Sequence, residues 1–354
     1  MGVTSFKKVV AQDVADAMGV ALSTVNKALT GKPGVSEARR REIQQKAREM
    51  GYRADNVAQI LARNPIHIGL VMIHSDRSFD DYHHNLLVGM QEEIERLADY
   101  KVRSFVLDVG ESLKPSLDDL KAWVEENRIE AICFNPTVSL KGLADNLVRL
   151  RVPLVLAGGG YERTDDFLSL VEVDAGLSGR LAADFLHCAC HKEIRAAILI
   201  DSEQSFNLRQ KAEACRVQLE KYGAKYVEVA NHNNDKQRLY EELDRLILGR
   251  PRCNCLYIST GFAVFVYEYL IEKKLTDRVT VVGTDDCQNL STYFEKGAVD
   301  AVLLQNEKQI GARAVRLAYE YLANSRTFGM EDWVPPDRVE VKPFLCLRSY
   351  FDEE

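Results

Sequence analysis

Gln12-Asp-Val-Ala-Asp-Ala-Met-Gly-Val-Ala-Leu-Ser-Thr-Val-Asn-Lys-Ala-Leu29 is the stretch on which the reading of this chain turns. Its apolar residues recur at helical spacing, with Val14, Ala15, Val20, Val25 and Leu29 on the inward side. Gly19 falls where a tight turn is needed. The pattern predicts a helix over Ala11–Met18 and a second over Leu22–Leu29, three residues apart, which is helix-turn-helix spacing. Gly31, Pro33 and Gly34 then break the chain. Ser36 caps a third helix that runs to about Met50, with Glu37 in its positive first turn and Gly51 just past its end. Three helices make one small domain over residues 1–52, followed by a linker over 53–64.

Charge separates this head from the body. The whole chain of 354 residues carries a net charge of −7, which looks wrong for a nucleic-acid partner. Residues 1–64, however, hold 11 Lys and Arg against 6 Asp and Glu, a local +5, and the remainder carries −12. Electrostatic footprints are local, so a basic head on an acidic body is compatible with DNA at one end only. No apolar run approaches the roughly 18 residues that a membrane helix needs, and the N-terminus shows no signal-peptide pattern; a cytoplasmic protein is expected. Eight scattered cysteines, several within apolar runs such as Ala131-Ile132-Cys133-Phe134, read as reduced core thiols and not as disulfides.

From Ile66 onward, short β-branched runs alternate with amphipathic segments. Ile66–Ile73, Val102–Val109, Ala131–Phe134 and Pro153–Ala157 read as strands, separated by helical stretches such as Leu86–Asp99 and Leu117–Glu126. The alternation resumes with strands at Ala196–Ile200, Tyr226–Val229, Cys255–Ile258 and Thr280–Gly283. Such βαβ repetition implies parallel, doubly wound sheets, and there are too many strands for one. The fold class is therefore α/β: an all-α helix-turn-helix headpiece on a two-lobed, Rossmann-like core. The lobes are expected at 65–160 with 287–325 and at 161–286 with 326–354.

The segment 12–29, with Val35-Ser36 and Met50-Gly51-Tyr52, resembles the headpiece of the LacI/GalR family of transcriptional regulators. The resemblance continues through Asn56-Val-Ala-Gln-Ile-Leu-Ala62, which is similar to that family's hinge helix, and Ile68-Gly69-Leu70-Val71, similar to the first strand of its periplasmic-binding-protein-like core. It implies a homodimer that binds a palindromic duplex, a repressor whose operator affinity is set by a small polar effector, sugar-like in type. Leu22, Ser23 and Lys27 would read base edges in the major groove, with Thr24 and Asn26 nearer the phosphates. Lys27 stands where relatives often have Arg, and a point-like ammonium lacks the fork that grips guanine. Ala21 stands where they usually have a Ser cap. In the hinge, Leu61 would wedge between central base pairs while Val57 and Ala58 pack across the dyad.

Open α/β sheets place ligands beyond the carboxyl ends of their strands, so the effector is expected between the lobes. The resemblance places Asn135, Arg209, Asp285 and Gln305 there. His74, Ser75, Asp76 and Phe79, after the first core strand, and Ser259 and Thr260, which depart from the family's usual Asn-Asp, complete the expected set. Gly158-Gly159-Gly160 lacks the Lys-Ser/Thr of a phosphate loop and reads as a turn. His187-Cys188-Ala-Cys190-His191 and Cys253-Asn-Cys255 have the wrong spacing for a zinc site. Neither metal nor cofactor is expected. No nucleophile elbow, paired carboxylates or His-Glu-x-x-His motif appears, so no enzyme is expected. A transporter's solute-binding protein and a sugar-processing enzyme on the same scaffold are the alternatives.

Overall fold

A computed structural model describes residues 9–29, 33–52, 64–74, 82–110, 115–136, 141–159, 161–162, 165–259, 261–328 and 335–351. Val57, Ala58 and Leu61 of the expected hinge lie outside the described residues, as do Ser75, Asp76, Phe79 and Thr260.

The headpiece consists of α1 (Ala11–Met18), α2 (Leu22–Leu29) and α3 (Glu37–Glu49), the three helices that the periodicity predicts. Gly19 takes φ 62°, the left-handed turn that a side chain would resist. Val14, Val25, Ala28, Ile43 and Ala47 are fully buried among the three helices. The last carbonyls of a helix lack internal partners. In α2 they are taken up by α3: Arg40 Nη1 donates to Lys27 O at 3.2 Å and Gln44 Nε2 to Ala28 O at 3.2 Å. This fixes α2 by its C-terminal end and leaves Leu22, Ser23 and Lys27 exposed, with Thr24 and Asn26 half-buried. Ser36 caps α3 as expected, accepting from Arg39 N at 3.4 Å.

The core is built on two six-stranded sheets. The first contains β1 (Ile66–His74), β2 (Val102–Gly110), β3 (Ala131–Phe134), β4 (Leu154–Ala157), β5 (Ser169–Val173) and β11 (Arg338–Val341), in the order β11-β5-β4-β3-β1-β2. The second contains β6 (Arg195–Ile200), β7 (Tyr226–Asn231), β8 (Cys255–Ile258), β9 (Thr280–Thr284), β10 (Ala301–Leu304) and β12 (Phe344–Cys346), in the order β12-β10-β9-β8-β6-β7. The central pairings are parallel, with Ile68 opposite Ala131 in the first sheet and Ala196 opposite Cys255 in the second. Strands β3, β4, β5 and β8 are buried at every residue, as a parallel sheet covered on both faces requires. The edge strand β12 runs antiparallel to its neighbour β10.

The strand orders correct the expected lobe limits. β5 and β11 belong to the first sheet and β10 to the second, so none of 169–173, 301–304 and 338–341 lies in the lobe anticipated for it. Pairing is nonlocal, and an apolar run does not state which sheet it will join.

The helices are α4 (Tyr82–Arg96), α5 (Leu117–Asn127), α6 (Lys141–Arg149), α7 (Ala175–Ala189), α8 (Phe206–Lys221), α9 (Lys236–Leu243), α10 (Ala263–Glu272), α11 (Leu290–Glu295) and α12 (Glu307–Phe328). Helices α7 and α8 touch backbone to backbone at Gly179, where a Cβ would stand 2.2 Å from Lys211 O. That contact sets the position of α8, which carries residues of the site described below.

Ala21 precedes α2 with a methyl group where a cap would accept a hydrogen bond from the first turn. Ala21→Ser should stabilise the headpiece by about 1 kcal/mol. Hydrogen exchange at the Val25 and Leu29 amides, slowed roughly fivefold, would register the gain; unchanged exchange would show that the N-terminus of α2 is already satisfied.

Candidate functional site

A cavity of about 740 Å³ opens where the carboxyl ends of both sheets converge. Its wall is made by the residues that follow strands: Pro136 after β3, Gly158 and Gly159 after β4, Asp201 after β6, Ser259 after β8, Asp285 after β9 and Gln305 after β10. The first sheet supplies Glu172 from within β5, and α8 supplies Asn207 and Lys211.

A hydrogen-bonded chain holds the floor. Gln305 Nε2 donates to both carboxylate oxygens of Asp285 at 2.8 Å, and Gln305 Oε1 accepts from Lys211 Nζ at 2.6 Å. These bonds fix which way the Gln305 amide points. Asp285 adopts φ 66°, a left-handed conformation that turns the chain at the end of β9. Lys211 is 2% exposed. Burial depresses its pKa against the pull of Asp285, Glu172, Glu307 and Asp201. Glu172 is buried too, and burial raises its pKa even though Arg338 pairs with it and Asn207 Nδ2 donates to it at 3.3 Å. Beside them, the hydroxyls of Tyr257, Ser259 and Thr284 are buried together, Tyr257 facing the other two, and Ser259 and Thr284 line the cavity.

The opposite wall is held by Asn135. Its Nδ2 donates to Ala157 O at 2.6 Å, so its Oδ1 accepts and His83 carries a proton on Nδ1 in their 2.5 Å contact. His83 and not Asn135 lines the cavity. Gly158 and Gly159 have positive φ, and a Cβ on Gly158 would stand 2.3 Å from the Tyr82 hydroxyl. The turn expected there is real, and it is packed so closely that only glycine fits.

Of the effector residues expected from the sequence, Ser259, Asp285 and Gln305 come together in the cavity. Asn135 lies one layer behind. His74 closes β1 and its side chain lies outside the described part. Arg209 requires correction. It points out of α8, bonded to Glu203 O at 2.6 Å and to Glu162 at 3.4 Å, and does not line the cavity. Helical phase gives the reason: Asn207, Lys211 and Cys215 lie inward at spacings of four, and Arg209 is half a turn away. Lys211, Glu172 and Asp201 were missed. The available signals were a lysine on the inward stripe of α8, a lone acid inside the apolar strand Ser169-Leu-Val-Glu-Val173 and an aspartate directly after β6.

Six of the eight cysteines are buried, whereas Cys188 is exposed and Cys190 half-buried, so the core-thiol reading does not extend to that pair. Among the described residues no group of three His, Cys, Asp or Glu could hold a metal ion, and no helix is long and apolar enough to cross a membrane.

A helix-turn-helix unit with a polar face free for DNA, followed in the same chain by a two-sheet core around a polar cavity, defines a ligand-responsive DNA-binding regulator. Residues 11–55 match the model of the bacterial regulatory proteins of the lacI family, and residues 152–326 match a periplasmic binding protein domain. The chain thus carries a lacI-family DNA-binding domain followed by a periplasmic-binding-protein domain. No curated protein matches it across its sequence. Among solved structures it is similar to GanP, a glucose-galactose binding protein from Geobacillus stearothermophilus, with TM-score 0.64 at 15% identity over 82% of this chain and all of that one. A protein assigned as a LacI transcriptional regulator from Bacteroides fragilis aligns with TM-score 0.61 at 14% identity, covering 82% of this chain and 100% of the other. A periplasmic solute binding protein from Actinobacillus succinogenes, described with bound D-allose, aligns with TM-score 0.62 at 18% identity over 81% and 98%. At these identities the likeness shows the fold.

His232, just past β7 and beside the cavity residues Asn233 and Asn234, provides a pH test. It is 1% exposed, packs on Phe262 and has no hydrogen bond from either ring nitrogen among the described residues. Burial, aided by Arg238 and opposed by Asp235, lowers its pKa from 6.5 to about 4. The unfolded histidine takes up a proton near 6.5 while the folded one does not, so stability falls as pH drops through that window and levels off below about 4. At about pH 5 the loss should be about 2 kcal/mol. His232→Phe should flatten the difference between urea midpoints measured at neutral pH and at about pH 5; an undiminished difference would assign the acid sensitivity to other groups.

Proposed function

We propose that this regulator is a cytoplasmic repressor acting as a homodimer on a palindromic operator, and that a small sugar-like effector bound in the cavity sets its affinity for DNA. The observation that carries the proposal is the joining in one chain of the exposed Leu22, Ser23 and Lys27 face to a cavity floored by Asp285, Gln305 and Lys211. Carboxylates accept from hydroxyls, and the Ser259 and Thr284 hydroxyls can donate or accept, which suits a polyhydroxylated molecule. Fold relatives described as glucose-galactose binding or as bound to D-allose support that choice of class. In this reading Leu22, Ser23 and Lys27 meet base edges, Thr24 and Asn26 meet phosphates, and Val57, Ala58 and Leu61 form the hinge contact at the dyad. A solute-binding protein shares the core, but the headpiece favours the regulator. The role is binding rather than turnover; incubating the protein with a bound sugar and finding product would reverse that assignment.

Two experiments test this reading. Selection from random duplexes should enrich a motif with two-fold symmetry, since a dimer presents two recognition helices to successive major grooves, and binding should weaken steeply with salt. Enrichment of an asymmetric motif, or of none, would remove the dimeric headpiece from the account.

Within the cavity, Asp285→Asn and Lys211→Met should each weaken effector binding by roughly tenfold or more, since a hydrogen bond to a charged group is worth about 1.5–3 kcal/mol. Arg209→Ala removes only an exposed ion pair of about 0–1 kcal/mol and should leave affinity within roughly twofold. Calorimetry on the three variants decides between the sites; a larger loss for Arg209→Ala than for Lys211→Met would move the ligand out of the cavity.

A further inference from the structure

Two of the eight cysteines are placed unlike the rest. At the end of the second sheet away from the effector cavity, the starts of β8 and β9 and the end of α7 border a pocket of about 370 Å³. Cys190, the residue that ends α7, lines this pocket and is half-buried, whereas Cys255, the first residue of β8, is 0% exposed. Cys190 packs against the apolar cluster that contains Cys255, and the two thiols face each other. Asn254, the residue before Cys255, fixes the approach. Its Oδ1 accepts from Arg195 N at 2.9 Å, and its Nδ2 donates to Glu193 O at 3.0 Å and reaches Cys190 Sγ at 3.6 Å. Cys190 Sγ in turn donates to Lys192 O at 3.5 Å. The segment that joins α7 to β6 is thereby tied to β8 with one thiol on each side of the seam. Cys253 belongs to a different apolar cluster and Cys215 is buried within α8, and neither lines the pocket.

A cysteine enclosed by apolar side chains behaves as a small hydrophobe and is inert. Cys190 instead borders an open pocket while touching a second thiol. That juxtaposition is the one thiol–disulfide exchange uses, with attack through the accessible sulfur and closure onto its neighbour. We propose that Cys190 and Cys255 are a reversible redox pair, in which a small-molecule disulfide of the glutathione type reacts at Cys190 and Cys255 displaces it to close an internal disulfide. In the first step the Cys190 thiolate attacks one sulfur of R–S–S–R, forming Cys190–S–S–R and releasing RS⁻. In the second, the Cys255 thiol gives up its proton and attacks the Cys190 sulfur, and the second RS⁻ leaves with that proton. Two cysteine thiols are oxidised and one R–S–S–R is reduced to two R–SH. Burial pushes the Cys255 thiol up, so the second step is the slower one and the mixed disulfide on Cys190 precedes the internal bond. In a reducing compartment the pair rests as thiols, where a bond of this kind is transient and reports an oxidising shift.

The test incubates the reduced full-length protein with oxidised glutathione at neutral pH, then alkylates the remaining thiols in denaturant and maps the peptides by mass spectrometry without reduction. A peptide pair linked through Cys190 and Cys255 should appear, preceded by a glutathionyl group on Cys190, and dithiothreitol should restore both thiols. Cys188→Ser should leave the linkage intact. Cys255→Ala should stop the reaction at the mixed disulfide on Cys190, and Cys190→Ser should leave Cys255 reduced. If Cys255→Ala fails to fold, the map of the parent protein beside that of Cys190→Ser, which changes a half-buried position, carries the test. A bond between Cys188 and Cys190, a disulfide between two chains, or glutathione on Cys188 with Cys190 and Cys255 still reduced overturns the proposal. So does a Cys190–Cys255 linkage that forms only in urea, where the folded contact no longer exists.

Discussion

An ammonium group with almost no access to water sets the terms for the core. Lys211 sits on α8 at 2% exposure, and a lone charge so placed would cost more than the fold could bear. Its surroundings follow from that constraint. Gln305 must present its oxygen to Lys211, which turns its amide nitrogen onto Asp285, and Asp285 must leave β9 in a left-handed conformation to receive it. The close approach of α7 at Gly179 holds α8 in place for the contact. Helix, strand ends and turn are thus mutually specified by one buried charge. Buried polar networks cost stability unless satisfied, and their best-attested return is specificity of arrangement.

The two sheets contribute unequally to this arrangement. Asp285, Gln305 and Lys211 all come from the second sheet and the helix that packs on it, so the floor is preorganised within one lobe. The first sheet reaches it through Glu172, which receives Asn207 from α8 and is held on its own side by Arg338 of β11. That carboxylate is the bridge between the halves of the cavity. Its raised pKa shows that Arg338, Asn207 and Lys211 together do not offset its desolvation.

The legibility of these features in the sequence followed the range of the interactions that make them. The headpiece was readable almost to the residue because its signals are local: helical spacing at Val14, Ala15, Val25 and Leu29, a glycine turn at Gly19 and a serine cap at Ser36. Strands β1 to β4 and β6 to β9 were readable as strands, but β5, β10, β11 and β12 were not singled out, and no local pattern shows that β11 will return across the chain to pair with β5. The site divided in the same way. Asp285 and Gln305 were placed by the family resemblance, and Ser259 and Asp285 also follow strands read from the sequence, a position with a topological meaning. Arg209 was placed there by the family resemblance; helical phase, read from Asn207 through Lys211 to Cys215, selects the lysine instead.

A site of this construction bears on how ligand binding can control DNA binding. An effector alters an equilibrium only by its difference in affinity between two states. The Asp285–Gln305–Lys211 chain lies within one lobe and travels as a unit, so contacts to it supply affinity in either arrangement of the sheets and little discrimination between them. Discrimination has to come from groups whose separation changes; among the described residues, hydrogen-bonded pairings that cross from one sheet to the other are Asn207 with Glu172 at the cavity and Arg209 with Glu162 outside it. The second of these is exposed and weak. The first is buried, shares its carboxylate with Arg338 and borders the ligand space. On the proposed reading, affinity for an effector and the response to it fall to different residues of the same cavity, the floor governing the first and Glu172 with Asn207 the second.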